Sequence, residues 1–200
     1  MSRKRMMFLF IFAGLILALA AGVYMYQLNR PPGTEEVTDL LRTFITRIAE
    51  RDLQGARDLM TPETAHLLRD PGTELGETVY RNLSLISAEN VMMAGEKTLS
   101  ADVILNTPDT LRIMAKAGQL FAEQVTENGP AEDPDEAMTE IYAEILARDD
   151  LPMISQFLIV RLSYAGGPLR IIGDDALQTA LEGNSAENLN SINLVLGAEQ

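Results

Sequence analysis

Met153-Ile154-Ser155-Gln156-Phe157-Leu158-Ile159-Val160-Arg161-Leu162-Ser163-Tyr164 is the stretch on which the fold turns. Ile154, Leu158, Val160, Leu162 and Tyr164 recur at period two on one face, and Phe157 and Ile159 fall on the other. That spacing predicts a strand, and apolar residues on both faces predict a central strand covered on both sides. Ala165-Gly166-Gly167-Pro168 after it is a turn signal, with Leu169 to Gly173 as the hairpin partner. Asp174-Asp175 then caps a short helix over Ala176 to Leu181, which Gly183 ends.

Upstream lies a helical pair. Thr107-Pro108-Asp109 predicts a helix start, with Thr107 as cap and Pro108 at the first position. Leu111, Met114, Ala115, Gly118, Phe121, Ala122 and Val125 form its expected apolar stripe. Glu127 to Asp133 reads as an exposed loop. Asp133-Pro134-Asp135-Glu136 resembles a capping box for a helix to about Arg148 that buries Met138, Ile141, Tyr142, Ile145 and Leu146. Leu151-Pro152 ends it.

Further upstream, Leu83 to Met93 and Thr98 to Asn106 alternate as two strands around the turn Ala94-Gly95-Glu96-Lys97. Before them, Thr34 and Glu35-Glu36 open a helix from about 35 to 51. Its apolar positions are Val37, Leu40, Leu41, Phe44, Ile45 and Ile48. A second short helix is expected to about Met60, and a third from Pro62 through Leu68 to the stop at Asp70-Pro71-Gly72. A loop is expected between there and Val79 or Tyr80. Segregated helices and antiparallel hairpins predict an α+β fold over residues 35–183. A tail, 184–200, is polar until Ile192, Leu194, Val195 and Leu196. It is expected either to fray or to dock those few apolar side chains.

The N-terminus supplies the address. Arg3, Lys4 and Arg5 form a basic segment, residues 1–5, before an uncharged run of 21 residues from Met6 to Tyr26. As a helix that run is about 32 Å long, enough to cross a hydrocarbon core. Phe8, Leu15 and Leu19 lie within it, and Tyr24 and Tyr26 stand where an interfacial aromatic belt belongs. The basic flank predicts a single-pass signal anchor with its N-terminus in the cytoplasm and the remainder extracytoplasmic. Ala18-Leu19-Ala20 has the form of a cleavage site, so removal after Ala20 is the alternative. Gly14, Ala18 and Gly22 give the span small-xxx-small spacing, which permits close helix packing. Residues 27–34, with Pro31-Pro32-Gly33, form a short stiff linker.

Charge divides along the same line. Four of the 16 basic residues and none of the 29 acids lie in the first 30 positions, which leaves a body with net charge −17. Such a body repels nucleic acid and anionic headgroups, so no nucleic-acid partner is expected. The chain has no cysteine. Disulfides, thiol catalysis and a lipidated cysteine are excluded, and an exported domain without disulfides leans towards bacteria.

Candidate chemistry is sparse. His66 is the only histidine, and no partner for it stands out in the sequence. Asp102 lies inside a strand pattern; to act as a base it needs burial that raises its pKa. Glu127, Glu132, Asp133, Asp135 and Glu136 are acidic enough to attract calcium, but Asn128-Gly129-Pro130 breaks the ligand spacing of a calcium loop. Met92-Met93 reads as core filler, with an adaptable apolar groove for a peptide or lipid as the alternative. No catalytic residue, cofactor or metal site is therefore assigned.

Glu50-Arg51-Asp52-Leu53-Gln54-Gly55-Ala56, the acidic step between the first two helices, resembles the nuclear transport factor 2-like (cystatin-like cone) superfamily. The likeness is closer to uncharacterised envelope lipoproteins and anchored proteins of Gram-positive bacteria. Two further stretches carry it, Asn106-Thr107-Pro108-Asp109 and Gly167-Pro168-Leu169-Arg170-Ile171-Ile172-Gly173-Asp174. Leu169 stands where that group usually has Trp. The resemblance implies a curved sheet wrapping a long helix into a cone with an interior pocket, and a helical pair inserted between hairpins.

These readings lead to one expected function and two rivals. The expected one is a non-catalytic, membrane-anchored extracytoplasmic module that recognises an envelope protein or a small apolar ligand. The first rival is an isomerase- or hydrolase-like enzyme with a carboxylate buried in the cone. The second is a structural subunit of an envelope assembly, which requires an exposed apolar patch around Phe157 and Ile159 that the helical pair leaves uncovered.

Overall fold

A computed structural model describes residues 30–148, 150–165, 167–185 and 188, together with Ile16 and Gly22. The chain divides into two compact units, residues 1–32 and 33–200. In the first, Ile16 and Gly22 are helical, and the rest of the expected span at 6–26 lies outside the described residues. Among the described residues no helix is long and apolar enough to cross a membrane.

The second unit is α+β, built around one four-stranded antiparallel sheet. It opens with α1 (Thr34–Ala49), whose first turn is tied by the Gly33 N–H to the Glu36 carboxylate at 2.8 Å. Val37, Leu41, Phe44, Ile45 and Ile48 are buried, as the helical spacing predicted. α2 (Leu53–Arg57) follows at once. Asp52 caps it by accepting from the Gly55 N–H at 2.9 Å, and Arg47 donates to the Gly55 carbonyl at 2.6 Å. A Cβ at Gly55 would collide with the Asp52 carboxylate. The Asp52–Gly55–Ala56 step is thus a closely packed corner, with Ala56 fully buried beneath it.

Two expectations fail in the next segment. Pro62 to Leu68 is not a helix beyond a single 3-10 turn at Ala65–Leu67. The segment is instead laced to the sheet. Thr61 donates its N–H to Ile171 O at 2.8 Å, and the Thr64 hydroxyl accepts from the Gly173 N–H at 2.8 Å. Conversely, the expected loop before Val79 contains α3 (Glu74–Arg81). Thr73 caps it, accepting from the Gly76 N–H at 3.1 Å.

β1 (Ser84–Gly95) and β2 (Thr98–Pro108) form the first hairpin. The helical pair follows as α4 (Thr110–Asn128) and α5 (Pro134–Leu146). β3 (Met153–Ser163) then pairs with β2 along its whole length, and β4 (Arg170–Ile172) completes the order β1-β2-β3-β4. α6 (Asp175–Leu181) closes the fold, with Asp174 capping it as predicted.

The cap assigned to Thr107 belongs to Asp109, whose carboxylate accepts from the Arg112 N–H at 3.1 Å. Thr107 and Pro108 are instead the last residues of β2, and the Thr107 hydroxyl accepts from Gln156 at 2.8 Å. α4 buries Ile113 and Ala117, with Leu120 and Phe121 half-buried, while Leu111, Ala115, Gly118 and Ala122 of the expected stripe are exposed. In α5, Asp133 caps as expected, and Met138, Ile141, Tyr142, Ile145 and Leu146 pack as expected.

Two apolar clusters result. The main one joins α1 to the inner face of the sheet through Leu99, Ala101, Val103, Leu105, Leu158, Val160 and Leu162. The smaller one holds α4 to α5, with Leu75 of α3 against it. No sheet residue belongs to the smaller cluster, so the helical pair does not cover the far face of the sheet. The expectation that β3 is covered on both sides is overturned: Phe157 and Ile159 are exposed.

Candidate functional site

The uncovered face of the sheet is a surface built by strand register. β1, β2 and β3 stack their outward residues in rows: Ser87 opposite Ile104 opposite Phe157, then Glu89 opposite Asp102 opposite Ile159, then Met92 opposite Ser100 opposite Arg161. Period-two alternation turns this set outward and its chain neighbours Val103 and Leu158 inward. Phe157 is 64% exposed, Ile159 55% and Met92 58%. Ile86, displaced by a register shift between Leu85 and Ser87, is 54% exposed beside them. Met92 and Met93 are therefore surface residues, which corrects their expected place in the core.

The middle row is acidic. Glu89 and Asp102 face each other across β1 and β2, and the Asp102 carboxylate accepts from Asn90 at 2.8 Å. Like charges directly opposite on a sheet are unfavourable, by roughly 0.2–1 kcal/mol. Among the described residues neither acid has an ion-pair partner. An exposed apolar pair flanked by unpaired acids has the chemistry of a contact surface.

The other candidates come apart. His66 is exposed in the 3-10 turn. Asp109 is the one carboxylate buried among the described residues, and it is already engaged by the cap of α4 and by Arg112 at 3.2 Å. Among the described residues no three His, Cys, Asp or Glu side chains are placed to hold a metal ion, the acidic residues at 127–136 included. A cleft of about 180 Å³ lies between α4 and α5, lined by Arg112, Lys116, Arg148, Ile113, Ile145 and Leu151. Its two arginines are paired, Arg112 with Asp109 and Arg148 with Asp150 at 2.9 Å. The Arg148 hydrogen bond also holds the Asp150 carboxyl below the usual carboxylate range. On the far side of the core, Tyr80 donates to Arg69 O at 3.0 Å and accepts from Gln178 at 3.2 Å, and burial pushes its phenol pKa up.

The residues expected to form a membrane anchor, Arg3, Lys4, Arg5, Phe8, Leu15, Leu19, Tyr24 and Tyr26, lie outside the described residues. No protein-family model, no curated protein and no solved structure matches the chain. The exposed apolar surface was half legible in sequence: the alternation put Phe157 and Ile159 together, but nothing in the periodicity said that no layer covers them.

Proposed function

We propose that this chain is a membrane-tethered, extracytoplasmic, non-catalytic interaction module of the nuclear transport factor 2-like kind, and that it docks a protein partner through the outer face of its sheet. The observation that carries this reading is the exposure of Phe157 and Ile159 at adjacent rows of β2 and β3. Fully burying two such side chains contributes about 1.5–3 kcal/mol each, enough to make the face the energetic centre of an interface. The basic segment and apolar run at residues 1–26 support the tether, and the order of helices, hairpins and inserted helical pair supports the superfamily. The inner face of the sheet favours a protein over a small ligand, because α1 fills it and Leu99, Ala101, Val103, Leu105, Leu158, Val160 and Leu162 are buried there. An enzymatic cone finds no support in the described residues, since Asp102 faces outward and Asp109 serves as a cap.

The same surface favours a second reading, a subunit of an envelope assembly, in which the partner is a fixed neighbour. Crosslinking the tagged full-length protein in its native membrane tests both. We expect a stoichiometric envelope partner that is lost in Phe157→Ser/Ile159→Ser. Capture that survives the double substitution would sink the docking face, and recovery of the protein alone would sink the interaction reading.

A further inference from the structure

The sheet has two open edges, and they are built differently. On β1 the pairing with β2 is broken by shifts between Leu85 and Ser87, Glu89 and Met92, and Met93 and Gly95. Asn90, within the second shift, sits at φ 50°. Bulges of this kind twist an edge and spoil it as a template for another strand. β3 pairs with β2 from Pro108–Met153 to Thr98–Ser163 without a shift, and on its other side β4 takes only Arg161–Ser163. Residues 153–160 thus form a straight edge with no strand beside it among the described residues. They contain no proline and no charged side chain, the devices that usually blunt an edge. Met153, Ile154 and Ser155 are exposed in succession, so both faces of the sheet are open where this edge begins.

We propose that the open edge of β3 takes an extended basic segment of the protein partner as an added strand, in which lysine or arginine alternates with apolar residues. This rests on the reading of the sheet's outer face as the docking surface, and it names the chemistry of what docks there. Backbone hydrogen bonds to an exposed edge supply affinity, and alternating side chains supply specificity. The rows on the outer face define those side chains. Inward from the open edge, one row runs Ile159, Asp102, Glu89. Asn90 donates to one oxygen of Asp102 at 2.8 Å, and neither acid is paired with a cation among the described residues. An added strand lies about 10 Å from β2, within the combined reach of a lysine and an aspartate side chain. A basic residue beside Ile159 therefore lays its aliphatic stem over that exposed side chain and carries its charge to Asp102. One beside Phe157 sets its cation against the exposed ring.

Charge decides between this occupant and a second copy of the protein. The 153–160 edge of a second copy is itself uncharged, so it leaves the acidic row unmatched. It also brings a body of net −17 against another of −17. A basic segment reverses both terms: the field of the body steers it in, and the row of Asp102 and Glu89 gives its charges a fixed destination.

Peptide titration and amide hydrogen exchange on the full-length protein in non-ionic detergent test the proposal. The probe is a capped ten-residue peptide in which lysine alternates with valine. We expect it to protect the alternate amides of 153–160 that point away from β2, with the β2 amides unchanged as internal reference. N-methylation of one alternate set of its residues should weaken binding about tenfold, and of the other set much less, because a strand bonds an edge through one side only. Replacing its lysines by glutamate, or titrating it into Glu89→Gln/Asp102→Asn, should also cost about tenfold. Binding that survives both N-methylations is general electrostatic attraction and overturns the proposal. Binding of the glutamate peptide, or edge amides that the lysine peptide leaves unprotected, overturns it too. Edge amides already protected without peptide overturn it, in favour of a second copy if that protection disappears on dilution. If the peptide leaves the edge unprotected while partner capture is lost in Phe157→Ser/Ile159→Ser, this inference falls and the docking face stands. Capture that survives that double substitution overturns the face itself.

Discussion

Leu158 and Phe157 are neighbours on one strand, yet the first is 8% exposed and the second 64%. The inner face of β2 and β3 is sealed by α1, while the outer face leaves Phe157 and Ile159, as apolar as their inward neighbours, open to solvent. Apolarity alone therefore does not set the role of a residue here. What differs is whether the chain spends an element on covering it. The helical pair, which is large enough to do so, packs on itself and on α3 instead.

The contrast can be broken most forcefully from inside. Leu162→Ala empties a fully buried position, and we expect a loss of about 2–5 kcal/mol, read as a lower urea midpoint at unchanged slope. Next comes a polar exception in the interior. Tyr80→Phe removes the hydroxyl that donates to Arg69 O and accepts from Gln178, whose amide keeps Glu182, at about 1–3 kcal/mol. It also changes the alkaline limb. Burial raises the Tyr80 pKa above its ordinary 10.0, so the folded state holds the proton longer than the unfolded state. The contribution is complete below pH 10 and is lost as the pH rises through the folded value. Thermal midpoints taken from about pH 8 to 11 should fall less steeply in Tyr80→Phe.

From outside the expectations shrink. Phe157→Ser should change stability by no more than about 0.5 kcal/mol while abolishing partner capture. A loss of several kcal/mol would mean that something buries this face in the isolated protein. The smallest effect is a gain: Glu89→Lys turns a repulsive cross-strand pair with Asp102 into an attractive one, and we expect about 0.2–1 kcal/mol of stabilisation in the same urea titration.

Much of the fold was legible because local chemistry and tertiary structure agree. α1, α5, both hairpins and the Asp174 cap follow from periodicity and capping residues. The misreadings sit where two signals compete. Thr107-Pro108-Asp109 contains two acceptable caps; the ladder to β3 claims Thr107 and Pro108, and Asp109 caps instead. Pro62 to Leu68 carries a helix-start signal, but Thr61 and Thr64 bond to Ile171 and Gly173, more than a hundred positions away, which no local pattern reports. α3 escaped notice because Gly76 interrupts its pattern, although Thr73 and the Leu75–Val79 spacing announce it. The candidate surface depends on the absence of a layer, and periodicity describes a strand rather than its surroundings.

One consequence follows from where the helical pair begins and ends. Pro108 and Met153 are partners in the β2–β3 register, and the Asp109–Pro152 hydrogen bond closes the neck beyond them. To the sheet, residues 109–152 are thus a single hairpin connection of unusual length. Closing a longer connection costs little, about 0.6 kcal/mol for each doubling. At this neck we expect the helices to be exchangeable while the ladder on either side keeps its pairing.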